Sequence, residues 1–234
     1  LKGRLPAAVL CIGCLGFLMV FPAKDAAFAQ VNSEGEITLG ENNRVTEPKE
    51  PTNPAKPRPG DSYHRPTNEK GPLSLDVVPL GFYFGTQKMY HAAHTYQANG
   101  TDNHLQYLQV TDNRDATVNG WSLKVRQADY LRDSQTDYEL TGATLYLPQG
   151  QPRNQNNLAG SAANADSLLT ASVPVTDQEV TIFSAPNREN AGKATSTNFW
   201  QANDVTLSIP RDTVQPGNYS TKIYWILTDG GPSN

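Results

Sequence analysis

From Gly120 to Arg126 apolar and polar side chains alternate without a break. Trp121, Leu123 and Val125 take every second position, with Ser122, Lys124 and Arg126 between them. Successive side chains of a strand point to opposite faces. This run therefore reads as a strand with one face in a core and the other in water, and such a strand needs a sheet around it. A second Trp-x-Leu occurs in Tyr224-Trp225-Ile226-Leu227-Thr228-Asp229, where Trp225 and Leu227 again share a face.

The rest of the sequence agrees with a sheet protein. No sustained helical period occurs outside the N-terminal segment. Asn, Gln, Thr and Ser are abundant and apolar residues make up only 37%, which fits strands and turns around one modest core. Leu73, Leu75 and Val77 mark a half-buried strand that Pro79 ends. Further strands are expected at 105–110, 121–126, 143–147, 180–183, 205–209 and 219–227. Val173 and Val175 flank Pro174, so that short strand belongs at an edge. The 219–227 strand reads as central, because Tyr224 and Ile226 make its second face partly apolar. Residues 150–166 read as a long polar loop. The expected fold class is all-β, a sandwich or barrel-like antiparallel sheet domain.

What precedes the domain reads as an address and a tether. Lys2 and Arg4 open the chain, an apolar run extends from Pro6 to Pro22, and Ala27-Phe28-Ala29 supplies small residues before Gln30. This three-part pattern is a cleavable export signal over 1–29. Its apolar run of about 15 residues is short of the ~20 that span a bilayer, so no membrane insertion is expected after cleavage. Both cysteines, Cys11 and Cys14, lie in it. Cys14 follows Ile12-Gly13 like a lipidation site, yet the apolar run continues past it to Val20, and lipidation is not expected. The mature chain then has no cysteine and must fold by packing alone. Residues 30–71 read as a disordered, Pro-rich spacer, with prolines at 48, 51, 54, 57, 59 and 66 and almost nothing apolar. The domain itself is placed at 72–232.

Charge and motifs exclude several functions. Losing Lys2, Arg4, Lys24 and Asp25 with the signal moves the formal charge from −4 to −6. Nucleic acid needs a basic footprint and is excluded as a partner. Bulk charge would not draw this chain to anionic wall polymers either. Nucleotide-loop and zinc-hydrolase signatures are absent, and no catalytic set emerges from spacing. The chain is read as a non-enzyme without cofactor. His91-Ala92-Ala93-His94, with His104 further on, has metal-like spacing but no cysteine or carboxylate motif beside it, so surface histidines are expected. Asp102, Asp112 and Asp115 do not match a calcium-loop pattern and are read as turn residues.

The sequence resembles the WxL domain of Gram-positive surface proteins, over roughly residues 71–232. The resemblance rests on Gly71-Pro72-Leu73-Ser74-Leu75-Asp76, Phe84-Gly85-Thr86-Gln87 and Leu108-Gln109-Val110-Thr111-Asp112-Asn113-Arg114, taken in order. It continues through Gly120-Trp121-Ser122-Leu123-Lys124-Val125, Leu140-Thr141-Gly142-Ala143-Thr144-Leu145 and the distal Trp-x-Leu run to Asp229. The resemblance implies a secreted protein held non-covalently on peptidoglycan at the cell wall, with WxL-interacting surface proteins as alternative partners. Leu147-Pro148-Gln149-Gly150 resembles a sortase site but is internal and incomplete, so covalent anchoring is not expected.

The motif residues Trp121, Leu123, Trp225 and Leu227 have two readings. Each tryptophan shares a face with aliphatic residues, which favours a core role. Stacking on sugar rings or on a partner is the competing role. Trp200, in Asn198-Phe199-Trp200-Gln201, lies in a loop-like context and is read as semi-exposed, with packing and contact evenly weighted. The binding surface is expected in loops such as 86–104 or 150–166 rather than on the indole rings.

Overall fold

The computed structural model describes residues 34–98, 104–115, 117–156 and 167–232. The export signal at 1–29, Asp102 and residues 157–166 of the polar loop lie outside the described residues. The chain divides into a unit at Leu1–Leu39, whose described residues 34–39 carry no strand, and a unit at Gly40–Asn234.

The second unit begins with β1 (Lys49–Glu50), β2 (Asn53–Pro57), β3 (His64–Pro66), β4 (Leu73–Pro79), β5 (His94–Gln97) and β6 (Leu105–Asp112). It continues with β7 (Trp121–Gln127), β8 (Arg132–Asp133), β9 (Thr144–Leu147), β10 (Gln151–Asn154), β11 (Leu169–Thr170) and β12 (Val173–Val175). It ends with β13 (Val180–Ala185), β14 (Ala194–Gln201), β15 (Thr206–Ile209), β16 (Tyr219–Ser220) and β17 (Ile223–Asp229). A 3-10 turn at Ala202–Asp204 is the only helical element among the described residues.

A five-stranded sheet runs β10-β14-β6-β4-β3, and two four-stranded sheets run β11-β13-β7-β17 and β12-β9-β15-β5. The ribbons β1-β2 and β16-β8 stand beside them. Among the described residues no sheet closes on itself, so the all-β fold is a set of antiparallel sheets and not a barrel. One core joins the three large sheets. Leu75, Leu108, Val110 and Trp200 meet Trp121, Leu123, Val125 and Phe183, with Leu145, Leu147 and Val175 from the third sheet. Burying such side chains contributes about 1.5–3 kcal/mol each.

β7 follows its sequence pattern: Trp121, Leu123 and Val125 are buried, and Ser122, Lys124 and Arg126 are partly exposed. β4 differs from its expectation, since both its faces are covered. Leu75 and Val78 enter the main core, while Val77 lies with Tyr107 and Phe199 in a separate cluster. A register shift between Leu75 and Val77, at Asp76, re-aims the side chains.

The stretch read as a disordered spacer is the reason. Residues 49–57 form a hairpin and β3 adds to β4 at the edge of the five-stranded sheet. The Gln109 side chain donates to the Glu47 carbonyl at 3.2 Å and accepts from the Lys49 N–H at 2.7 Å. Thr197 donates to the Pro51 carbonyl at 2.7 Å, and the Arg58 guanidinium lies over the Tyr107 ring at 5.6 Å. Pro54 and Pro57 sit in a two-stranded ribbon and Pro66 on an edge strand, where a missing N–H does least harm. The arm needs few apolar residues because it is held largely by hydrogen bonds to Gln109 and Thr197, with Arg58 and His64 against the Tyr107 ring.

Three further expectations are corrected. Residues 151–154, read as part of a long polar loop, form β10 and pair with β14, where the partner strand satisfies their backbone. β17 is an edge strand and not a central one. The apolar second face that suggested burial is capped by a side chain: the Arg126 guanidinium lies 4.5 Å from the Tyr224 ring centroid. Trp200 is not in a semi-exposed loop. It is 4% exposed within β14, between β10 and β6. The polar run before it hid that strand, because Thr195, Ser196, Thr197 and Asn198 are all buried.

Candidate functional site

The two Trp-x-Leu runs pair directly. β7 and β17 lie antiparallel with Leu123 opposite Leu227, Val125 opposite Trp225 and Trp121 opposite Asp229. Trp121 and Leu123 are fully buried. Trp225 and Leu227 are partly buried and pack on the same core. Trp121 meets Phe183 edge-to-face at 4.8 Å, and its Nε1 donates to the Gly192 carbonyl at 3.3 Å. Gly192 has φ +68°, and a Cβ there would lie 2.7 Å from that Nε1. The glycine both adopts a backbone that other residues resist and leaves space for the ring.

The Asp112-Asn113-Arg114 stretch clamps this corner. Arg114 donates to both carboxylate oxygens of Asp112, at 2.9 and 2.8 Å, and to the Gly120 carbonyl at 2.8 Å. It also pairs with Asp229 at the end of β17. Asp112 is 1% exposed and accepts a second cation, Lys193, at 3.4 Å. Hydrogen bonding to Asp112 holds the Arg114 guanidinium even more firmly protonated than usual. Lys193 also donates to the carbonyls of Arg114, Asp115 and Val118. One buried carboxylate thus joins the turn before the first motif, the loop before β14 and the end of the second motif.

Trp121, Leu123 and Asp112 are enclosed by the domain, and the Trp121 ring has no exposed face to offer a ligand. The open features lie elsewhere. A cleft of about 730 Å³ runs along β5, the edge of the third sheet. Gln87, Thr95, Gln97, Asn203 and Thr206 line it, with His94 and Tyr96 as its rings. The stretch 86–104, read from the sequence as a loop, carries strand β5 at 94–97 because it pairs with β15, and supplies part of this wall. The sequence alone did not point to Asn203 or Thr206, because a strand edge brings them to β5 from more than a hundred residues away.

The histidines do not gather. His94 stacks on Tyr90 at 4.1 Å, His104 stacks on Tyr63 at 3.7 Å, and His91 lies 3.9 Å from Asp212. Asp115 accepts from the Thr117 N–H at 2.7 Å and from its hydroxyl. Among the described residues no group of His, Cys, Asp and Glu is arranged to hold a metal ion.

No helix among the described residues is long and apolar enough to cross a membrane. Searches of curated proteins and of solved structures gave no significant match. A family model described as "WxL domain surface cell wall-binding" matches residues 26–230, including the β1–β3 arm and both Trp-x-Leu strands. The chain therefore belongs to the WxL family of cell-surface, wall-binding domains.

Proposed function

We propose that this domain, exported and released from its signal, attaches non-covalently to peptidoglycan and acts as a binder rather than an enzyme. The family match across 26–230 carries this reading. The acidic balance of the chain argues for local contacts of neutral groups over bulk attraction. The test is co-sedimentation of the chain from Gln30 onward, with its N-terminal arm retained, against wall sacculi stripped of teichoic acid. Pelleting that moderate salt barely changes is expected. Failure to pellet, or full release by moderate salt, overturns the reading.

A second reading has its own support. Among the described residues β17 is the end strand of its sheet, and Trp225 on it is only partly buried. An edge of this kind accepts an added strand from another protein, which suits a WxL-interacting surface partner. Capture of that partner from a surface extract, without sacculi binding, would favour this second reading over the first.

A further inference from the structure

β17 lacks the guards that the other sheet edges carry. Of the strands that end the three large sheets, β10, β3 and β12 contain Pro152, Pro66 and Pro174, and β5 and β11 are four and two residues long. Proline removes a ladder donor and a short strand offers little to pair with, which is how sheet edges resist a further strand. β17 runs seven residues, Ile223–Asp229, with no proline and no register shift against β7.

The ladder fixes which backbone groups face outward. The Gly230 N–H donates to the Gly120 carbonyl at 3.3 Å, and the Ala128 N–H to the Lys222 carbonyl at 2.9 Å. Bonded pairs alternate along an antiparallel ladder, so the even-numbered residues of β17 bond to β7 and the odd-numbered ones turn away from it. Ile223, Trp225, Leu227 and Asp229 therefore aim their N–H and C=O groups past the edge of the sheet, and among the described residues none of these backbone groups has a partner.

The side chains give this edge two different faces. Ile223, Trp225 and Leu227 pack on the core yet stay partly exposed, whereas Leu123 and Val125, opposite Leu227 and Trp225 on β7, are fully buried. The core is open along β17, where an apolar side chain on an added strand would leave water. The other face is cationic. The Arg126 guanidinium lies over the Tyr224 ring at 4.5 Å, and Lys222, two residues before Tyr224, is exposed. Among the described residues neither cation meets a carboxylate, although Arg58, Arg114 and Arg132 each hold one and Lys124 on the same face pairs with Glu179.

We infer that β17 takes, as an added strand, an extended segment of a partner protein in which aliphatic and acidic side chains alternate. Its aliphatic residues lie opposite Trp225 and Leu227 and share their face. Its acidic residues lie opposite Lys222 and Tyr224, on the side of the Arg126 guanidinium. The inference rests on the second reading above, a partner at β17, and adds the chemistry of the strand that docks there. Main-chain bonds to the outward groups supply the pairing, and the alternation of side chains supplies the choice of partner.

The experiment follows hydrogen exchange in the chain from Gln30 onward, with and without the synthetic peptide Thr-Glu-Val-Glu-Val-Glu-Val-Glu-Thr. In the free chain the Trp225 and Leu227 amides should exchange faster than those of Tyr224 and Ile226, which bond to β7. The peptide should slow Trp225 and Leu227 by on the order of tenfold or more. Three comparators should leave them fast: the same residues in the order Thr-Glu-Glu-Val-Val-Glu-Glu-Val-Thr, the first peptide N-methylated at its valines, and its counterpart with lysine for glutamate. Arg126→Glu should weaken the acidic peptide by on the order of tenfold, and thermal unfolding checks that this variant is folded. No protection by the acidic peptide, equal protection by any comparator, or indifference to Arg126→Glu overturns the inference. Parallel capture from a surface extract separates the two ideas. A partner still captured by Arg126→Glu refutes this strand chemistry and leaves partner binding standing, whereas an extract that yields no partner to the parent chain refutes partner binding itself.

Discussion

The Trp121 indole donates its N–H to the carbonyl of Gly192, the residue whose missing side chain makes room for the ring. The two positions specify each other. By contrast Trp200, equally deep, has an Nε1 with no partner among the described residues.

Trp121→Phe should therefore cost more than Trp200→Phe. The first removes packing and leaves a buried carbonyl without its donor, for about 2–4 kcal/mol. The second removes packing and also an unsatisfied N–H, and should cost about 1 kcal/mol less. Gly192→Ala should cost at least about 2 kcal/mol, since φ is +68° and the new Cβ meets Ala185 Cβ at 2.4 Å. Urea denaturation of the variants gives the order, and equal losses for both tryptophans would contradict it.

Arg114 tests the clamp. Arg114→Lys loses the two-pronged grip on Asp112 and should destabilise by about 1–3 kcal/mol, because the buried carboxylate loses both guanidinium bonds and keeps Lys193 and the residue-114 N–H. Asp229→Ala removes a partner whose side chain is 74% exposed, and should cost under about 1 kcal/mol. A double-mutant cycle between Arg114 and Asp112 should show strong coupling, and one between Arg114 and Asp229 weak coupling.

Asp76 sets a pH dependence. Burial pushes its carboxyl up from 3.8 to about 6, against the hydrogen bonds from Ser74, Thr111 and Gln109. The folded state then holds a proton that the unfolded chain has released. Stability falls as pH rises from about 4 to about 6, by about 3 kcal/mol, and is level above that. Asp61 and Asp133 act in the opposite sense. Burial raises Asp61, but hydrogen bonds from Tyr63, His64 and Arg58 bring it down to about 2. Hydrogen bonds from Thr136 and Asn218 hold Asp133 at about 2. Their stabilisation is complete above pH 4 and is lost as pH falls toward 2. Denaturation midpoints measured across pH should show both limbs, and Asp76→Asn should flatten only the one between 4 and 6.

The N-terminal arm hangs on Gln109. Gln109→Met removes both bonds to the 47–49 backbone. Hydrogen exchange at the Lys49 amide should speed up by on the order of tenfold, while amides in β7 keep their protection. Unchanged exchange at Lys49 would show that the arm is held by other contacts.

These residues also show what a sequence discloses. β7 was legible because one of its faces meets solvent, so its polar and apolar side chains alternate. β14 was not, because both its faces are buried and much of what they bury is Thr, Ser and Asn. The arm at 49–66 read as spacer because it is held by hydrogen bonds to Gln109 and Thr197 and by Arg58 and His64 against the Tyr107 ring, which leave no hydrophobic pattern in its own residues. β17 read as central because Tyr224 looks apolar in sequence, whereas Arg126 covers it in space. The Trp-x-Leu pair marked the domain. The cleft was harder to see, since Gln87, Gln97 and Asn203 are ordinary residues until strand pairing sets β5 beside β15.

The pairing of β7 with β17 sets the order of events during synthesis. Trp121 comes opposite Asp229 only when the final strand is available, and Gly231 packs so tightly under Ala185 that a Cβ there would lie 1.9 Å from its carbonyl oxygen. Contacts so distant along the chain are slow to form. A growing chain cannot complete the ladder on this side of the first tryptophan until residues 223–229 have been made, so that pairing is a late event.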